Sequence, residues 1–330
     1  MSVNSQNSSV RENDFPWIFQ NSDERKHIAE VASWLGAHRH EVELRLAMVG
    51  AILFRGFPVR TAQDFDAFVA AFSWENFPYN ESLSNAVRVN RTQRVFTANE
   101  APSTVTIYLH HEMAQTPVYP AKLFFFCEQP AETGGATPIC PSYRLWEQLE
   151  RNYPQFARDC EAKGLRYSHT MPDLADAASG MGRSWRDTLG VTERVQAEQR
   201  LANLGYTWQW QADDSLRVTT PRLQAVRDLG DGRKSFFNQL IAAYCGWKDE
   251  RNAPSKSITF GDGSPLDAEA VLGTIGLAEQ LTVDLEWQQG DVALLDNFAV
   301  MHGRKPFTGT RKVLASLAER AGGMGGSETA

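Results

Sequence analysis

The stretch "IYLHHEMAQTPVYPAKLFFFC", residues 107–127, sets three metal-ligand types in a row, His110, His111 and Glu112, inside an apolar, aromatic-rich segment. The β-branched and aromatic content of "TVTIYLHHEM" and "KLFFFCEQ" predicts two strands joined by a proline-containing connection. Side chains alternate between the faces of a strand, so His110 and Glu112 are expected on one side and His111 on the other. An imidazole and a carboxylate two residues apart on one face can give two adjacent ligands to one ion. Met113, which shares the His111 face, is a soft thioether unsuited to a hard divalent ion. His111 is therefore expected to pack or hydrogen-bond nearby. H-x-E alone also occurs by chance, with a structural or surface histidine as the ordinary alternative.

Further strands are predicted at "GAILFRGF", "YTWQWQ", "SLRVT", "LTVDLEW", "DVALLDN" and "KVLASLA", separated by Gly- or Asp-containing turns. Helices are predicted over 23–48, with an interruption near Gly36, at "TAQDFDAFVAAF" with Thr61 as its cap, and over 142–164 and 190–204. Residues 165–190, with Gly180 and Gly182, read as irregular and as an inserted lid. The chain shows no repeat of its own. The pattern predicts one α+β domain over residues 16–320, built on a β-sandwich or barrel, with flexible tails at 1–15 and 321–330.

With 330 residues, 42% of them hydrophobic, the chain can bury a large core. A net charge of -7 without a basic block argues against a nucleic-acid partner and leaves a small molecule or a protein. The longest apolar run, "LAMVGAILF", is too short to span a bilayer, and "MSVNSQNSSVREND" lacks a signal-peptide pattern. A cytoplasmic protein with no membrane partner is expected. Cys127, Cys140, Cys160 and Cys245 form no C-x-x-C pair and read as free thiols, mostly buried. His38 and His40 diverge on a helix and read as solvated, while Trp208 and Trp210 share a strand face and read as packing.

A third ligand has to come from elsewhere. Among His27, His38, His40, His169 and His302, only His302 has a comparable setting, between the strand "VALLDN" and a turn with Gly303, Pro306 and Gly309. Two histidines and one carboxylate form a facial triad that leaves three metal positions open, as in non-haem Fe(II) oxygenases. Arg311 suits the second carboxylate of a 2-oxo acid chelating such an ion, and the Thr137 hydroxyl in "TGGATPI" can donate to the same group. Taken alone, each reads equally as a turn residue. Two rivals stand beside this reading. A zinc hydrolase uses similar ligands, but the H-E-x-x-H helix is absent and Arg311 and Thr137 have no task in it. A non-catalytic ligand-binding barrel would make the triad accidental.

The ordered segments "YLHHEM", "YPAKLFFFCEQPAETGGATPI", "FFNQ", "FGDGSPL", "WQQGDVALLDN" and "MHGRKPFTGTRKVL" resemble the taurine dioxygenase-like superfamily of Fe(II)/2-oxoglutarate oxygenases from about residue 50 to 318. The branch most resembled holds syringomycin-type aspartyl hydroxylases and clavaminate synthase-like enzymes. The resemblance implies a double-stranded β-helix, or jelly roll, flanked by helices. It matches His110, Glu112 and His302 to the family's iron ligands, Arg311 to its 2-oxoglutarate-anchoring arginine and Thr137 to the threonine of its Gly-Gly-x-Thr turn. Asn238 in "FFNQ" matches a segment near the family's active site, so Asn238 and His111 are carried as substrate-side residues. Taurine dioxygenase has a further arginine for its sulfonate; Ala315, Ser316 and Leu317 stand there, so no sulfonate substrate is expected. Halogenating relatives replace the carboxylate ligand, and Glu112 therefore favours hydroxylation. The implied reaction uses O2 and 2-oxoglutarate and releases succinate and CO2. The implied substrate is an amino acid or a derivative, free or tethered to a carrier protein in natural-product assembly. Epoxidation, desaturation or cyclisation of a free small molecule is compatible with the same ligands.

Overall fold

The run "LFFFC" lies at the centre of the longest strand, Val118–Gln129, and both of its faces are covered. Leu123 and Phe125 pack with Ile139, Leu295, Val300, Ala315 and Leu317. Phe124 and Phe126 join a second cluster with Leu35, Phe65 and Phe68, carried by the helices Ile28–Val49 and Ala62–Ala70. A strand buried on both sides reads as a continuous apolar run rather than an alternation. The computed structural model describes residues 15–322 apart from 80, 81, 85, 254 and 255. The expected tails lie almost wholly outside these residues, although Ala321 and Gly322 extend a strand.

Two facing sheets make the jelly-roll core of this α+β fold. The larger has the order Trp17–Gln20, Ala51–Arg55, Val292–Asp296, Val118–Gln129, Lys312–Gly322, Phe96–Thr97. Its first pair is parallel and the others are antiparallel. The smaller has the order Val283–Leu285, Thr137–Pro141, Val300–Arg304, Ile107–His110, antiparallel throughout. The helices Ser142–Asn152 and Ala268–Leu281 contribute to a third apolar cluster with Met301 and Cys140 of the smaller sheet. A separate sheet, Ile258–Phe260, Leu165–Met171, Leu216–Thr219, Thr207–Trp210, packs with the helices Trp185–Leu189 and Arg194–Asn203. Trp208 and Trp210 pack against that cluster, as their shared face predicts. His38 and His40 are exposed on the first helix.

Four local expectations need correction. The first helix runs unbroken through Gly36, where a side chain would meet nothing within 4 Å; glycine lowers helix stability by about 1 kcal/mol but removes no hydrogen bond. The helix expected over 142–164 is two helices, because Tyr153 leaves helical geometry ahead of Pro154, which starts the second. Residues 165–171 are a regular strand and 185–189 a short helix, so irregular backbone is confined to 172–184. The strand of the opening stretch stops at His110. Among the described residues, no helix is long and apolar enough to cross a membrane.

Candidate metal centre

His302 and His110 sit opposite each other in the antiparallel ladder of the smaller sheet, and their ring centroids are 4.4 Å apart. Directly opposed residues share a face, so pairing alone brings the imidazoles together although 192 residues separate them. Gly303 makes this approach possible, since a Cβ there would fall 2.4 Å from the Ile107 carbonyl oxygen. Glu112 completes the cluster. Its Oε2 is 3.5 Å from His302 Nε2 and 4.0 Å from His110 Nε2, and one donor atom from each residue lies within 4.8 Å of the others. His110 Nδ1 lies 2.8 Å from the Tyr108 carbonyl and donates to it, which turns the Nε2 lone pair toward the cluster. Burial, reinforced by the neighbouring His302, pushes the His110 pKa down to about 4, so the ring is neutral at pH 7.

Glu112 reaches this position from a turn rather than from a strand. His111 to Ala114 form a tight reversal in which Met113 adopts φ 59°, a left-handed conformation unusual for a side chain of its size. Asn297 fixes the turn: its Oδ1 accepts from the Glu112 amide at 2.8 Å, and its Nδ2 donates to the carbonyls of Glu112 at 3.0 Å and Pro120 at 2.7 Å. The His111 ring turns away, bonds through Nδ1 to the Asn297 carbonyl, and packs 4.8 Å from Phe237. His110 and Glu112 therefore converge and His111 diverges, through a turn and not through strand alternation. Burial opposes ionisation of Glu112, but Arg88 and then His302 outweigh it and hold the carboxyl well below its usual range. Arg88 Nη2 lies 3.0 Å and 3.2 Å from the two Glu112 oxygens, with the Arg88 side chain only 6% exposed. Two imidazoles and a carboxylate, all buried or nearly so, are a donor set that fits a divalent ion such as Fe(II).

Thr137, on the strand next to that of His302, meets Arg311, which stands just before the strand Lys312–Gly322. Arg311 donates from Nε to the Gly135 carbonyl at 2.8 Å and from Nη2 to Thr137 Oγ1 at 3.2 Å. Gly135, at φ 73°, is needed here because a Cβ would lie 3.1 Å from Arg311 Cδ. Thr137 Oγ1 also accepts from Trp287 Nε1 at 3.0 Å, which leaves its own hydrogen free to be donated elsewhere. Among the described residues Arg311 has no carboxylate partner. Burial, then the nearby Arg304, lowers its pKa to about 10, which still leaves it charged at pH 7. A buried cation without an anion is costly, and a carboxylate ligand would relieve that cost.

His110, Glu112, Thr137, His302 and Arg311 all line one cavity of about 420 Å³ between the sheets. Asn238 and His111 do not. Asn238 donates to the Ala225 carbonyl and accepts from the Leu240 amide, while its own carbonyl receives the His111 amide. Against the substrate-side expectation, both lie behind the cavity wall and bond around the turn that carries Glu112. Residues not singled out as ligands in the sequence supply other parts of the site. Arg88 and Gln115 line the cavity, and the Gln115 Oε1 is buried without a hydrogen-bond partner. Arg304 donates to the carbonyls of Asn99, Ala101, Pro102 and Val105 and so pins a loop in the wall. Asp176 to Met181, from the irregular part of the expected lid, reach the same cavity. Of these residues only Arg304, two positions beyond His302, stood inside a recognised segment.

Comparison with known proteins agrees with this arrangement. The profile of the taurine catabolism dioxygenase TauD, TfdA family matches residues 18–317. A clavaminate synthase-like protein of Arabidopsis thaliana is 42% identical over 280 residues, covering 84% of each chain. The dapdiamide synthesis protein DdaC of Enterobacter agglomerans is 28% identical over 289 residues, again covering 84% of each chain. Among solved structures, an asparagine oxygenase in complex with Fe(II), 3-hydroxyasparagine and succinate shares the fold, with a TM-score of 0.57, 11% identity, and coverage of 92% of this chain and 93% of that one.

Proposed function

Because the chain belongs to the TauD, TfdA family and is an Fe(II)- and 2-oxoglutarate-dependent dioxygenase, we propose that it hydroxylates an unactivated C–H bond of an amino acid or amino-acid-derived substrate, free or carrier-bound. In this reading His110, Glu112 and His302 hold the iron. Bound there with 2-oxoglutarate and O2, the iron supplies the oxidising chemistry, in which the co-substrate leaves as succinate and CO2 and the substrate gains an oxygen atom. The observation that carries the reading is the buried, acid-free Arg311 beside the triad, with Thr137 ready to donate to the same ligand. Arg311 and Thr137 anchor the far carboxylate of 2-oxoglutarate and so orient its other end toward the triad.

The remaining residues position substrate and exclude water. Phe125, whose ring centroid is 5.1 Å from that of His302, and Val313 make the floor apolar. Gln115 offers its amide oxygen Oε1 to a donor group of the substrate. The loop through Ser179 and Gly180 acts as the lid over the cavity. The description of one relative as a dapdiamide synthesis protein supports a biosynthetic, amino-acid-derived substrate. Free Cys127, Cys140 and Cys160, all buried, are compatible with work in a reducing cytoplasm.

The reading is tested by measuring succinate formation from Fe(II), 2-oxoglutarate and O2 against free and carrier-bound amino acids. Substrate-stimulated succinate release is expected from the native protein and none above background from Glu112→Ala or His302→Ala. Turnover that survives both substitutions would refute the site.

A further inference from the structure

We propose that Arg88 is a positioning residue for the metal-binding carboxylate: it grips Glu112 so that Oε2 alone is presented to the ion. The inference rests on the iron-site reading above and concerns how that site is kept in one coordination state. Arg88 Nη2 lies 3.0 Å from Glu112 Oε1 and 3.2 Å from Oε2. Oε2 is the oxygen that faces the histidines, at 3.5 Å from His302 Nε2 and 4.0 Å from His110 Nε2. The two oxygens thus have different neighbours: one meets the guanidinium, and the other is shared between the guanidinium and the donor cluster.

Among the described residues Arg88 has no other acid partner. Its guanidinium carbon sits 4.8 Å from the Tyr79 ring centre and 5.4 Å from that of Phe96, an aromatic support that fixes its plane. Nε and Nη1 are buried without a hydrogen-bond partner among the described residues. The Tyr79 hydroxyl in turn donates to the Ala86 carbonyl, and Arg183 Nη1 donates to the carbonyls of Ser82 and Ser84, so the segment that delivers Arg88 is tied at several points. A buried guanidinium held this way is strongly coupled to the Glu112 carboxylate. It caps the oxygen that would otherwise swing round to make a two-oxygen ligand. A carboxylate that gives one oxygen leaves more of the ion free for the co-substrate. Hydrogen-bonded partners of metal ligands commonly set affinity in this manner.

The test is anaerobic titration of the full-length native protein, R88M and R88K with Co(II) alone, reading both the dissociation constant and the visible ligand-field spectrum, which responds to coordination number. R88M should weaken Co(II) binding about 10- to 100-fold and change the spectrum, because Glu112 is then free to offer both oxygens. R88K keeps the charge and should recover part of the affinity, yet a point charge cannot fix a planar carboxylate, so its spectrum should still differ from native. R88K therefore decides the matter even if R88M does not fold. Native affinity and native spectrum in R88K would overturn the proposal. Weaker binding with a native spectrum would overturn it too, leaving Arg88 as a neutralising charge. Failure of the native protein itself to bind Co(II) would instead overturn the metal-site reading on which the proposal rests.

Discussion

One wall of the cavity, carrying His110, His302 and Thr137, is made of paired strands, whereas the facing wall, with Ser84, Arg88, Ala98, Asp176 and Met181, is made of connecting segments. On the strand wall, register sets position: His302 pairs with His110 on one side and with Ile139 on the other, and Thr137 pairs with Leu285. A slip of one residue would send every one of those side chains to the opposite face. On the other wall a few long side chains do the holding, Arg304 for residues 99–105 and Arg183 for 82–84. The difference separates the two tasks of the site. The two imidazoles and Thr137 are placed by a rigid ladder, whereas the facing segments, apart from Arg88 on Glu112, can change without disturbing it.

Each prediction probes that division. The largest effect is expected on the strand wall, where Arg311→Met removes the buried cation that awaits a carboxylate. The 2-oxoglutarate concentration for half-maximal succinate release should rise by about several hundred-fold, and a native value would detach Arg311 from the co-substrate. Asn297→Ala tests whether Glu112, which belongs to a turn, is made part of the rigid wall by side-chain bonding. Loss of three hydrogen bonds to backbone groups should cost about 2 to 3 kcal/mol in urea unfolding and weaken metal binding with it.

Gln115→Leu addresses the substrate side alone. The substrate KM should rise about 10-fold while the half-saturating 2-oxoglutarate concentration stays native; a parallel change in both would erase the distinction between the walls. The smallest effect concerns His169, on the strand Leu165–Met171 and against Trp247 of the cavity wall. Burial, then the nearby Arg217, lowers its pKa from 6.5 to about 4, and neither ring nitrogen has a hydrogen-bond partner. The unfolded chain takes up the proton near pH 6.5 while the folded protein resists it down to about 4, so stability falls as pH drops through that window. Between pH 6.5 and 5.5 the loss from this residue is about 1 kcal/mol. His169→Leu should flatten the pH dependence of unfolding by that amount, and an unchanged slope would contradict the burial of a neutral ring.

The strand wall is also the part that was legible in the sequence. His110, His302, Thr137 and Arg311 occur in spaced, ordered segments, and the two-sided burial of "LFFFC" is written in its unbroken apolar run. Glu112 joins the two histidines by a route other than the expected strand alternation, because nothing in "LHHEM" marks the end of the strand at His110 or the left-handed Met113 that turns the chain. Gly36 looked like a break, but an exposed glycine in a helix whose buried face includes Val31, Leu35, Val42 and Leu46 is carried by its neighbours. Arg88 and Asn297 were not legible as site residues. Each acts on Glu112 across 24 and 185 residues respectively, and no local periodicity encodes such a meeting.

The central claim is that His110, Glu112 and His302 form one iron site with Arg311 holding the co-substrate beside it, and anaerobic absorption spectroscopy tests it most directly. Fe(II) and 2-oxoglutarate together should give the native protein a weak visible metal-to-ligand charge-transfer band that neither gives alone. His302→Ala should abolish that band and His111→Gln should keep it. No band in a native protein that binds zinc, or equal loss in both variants, would contradict the account.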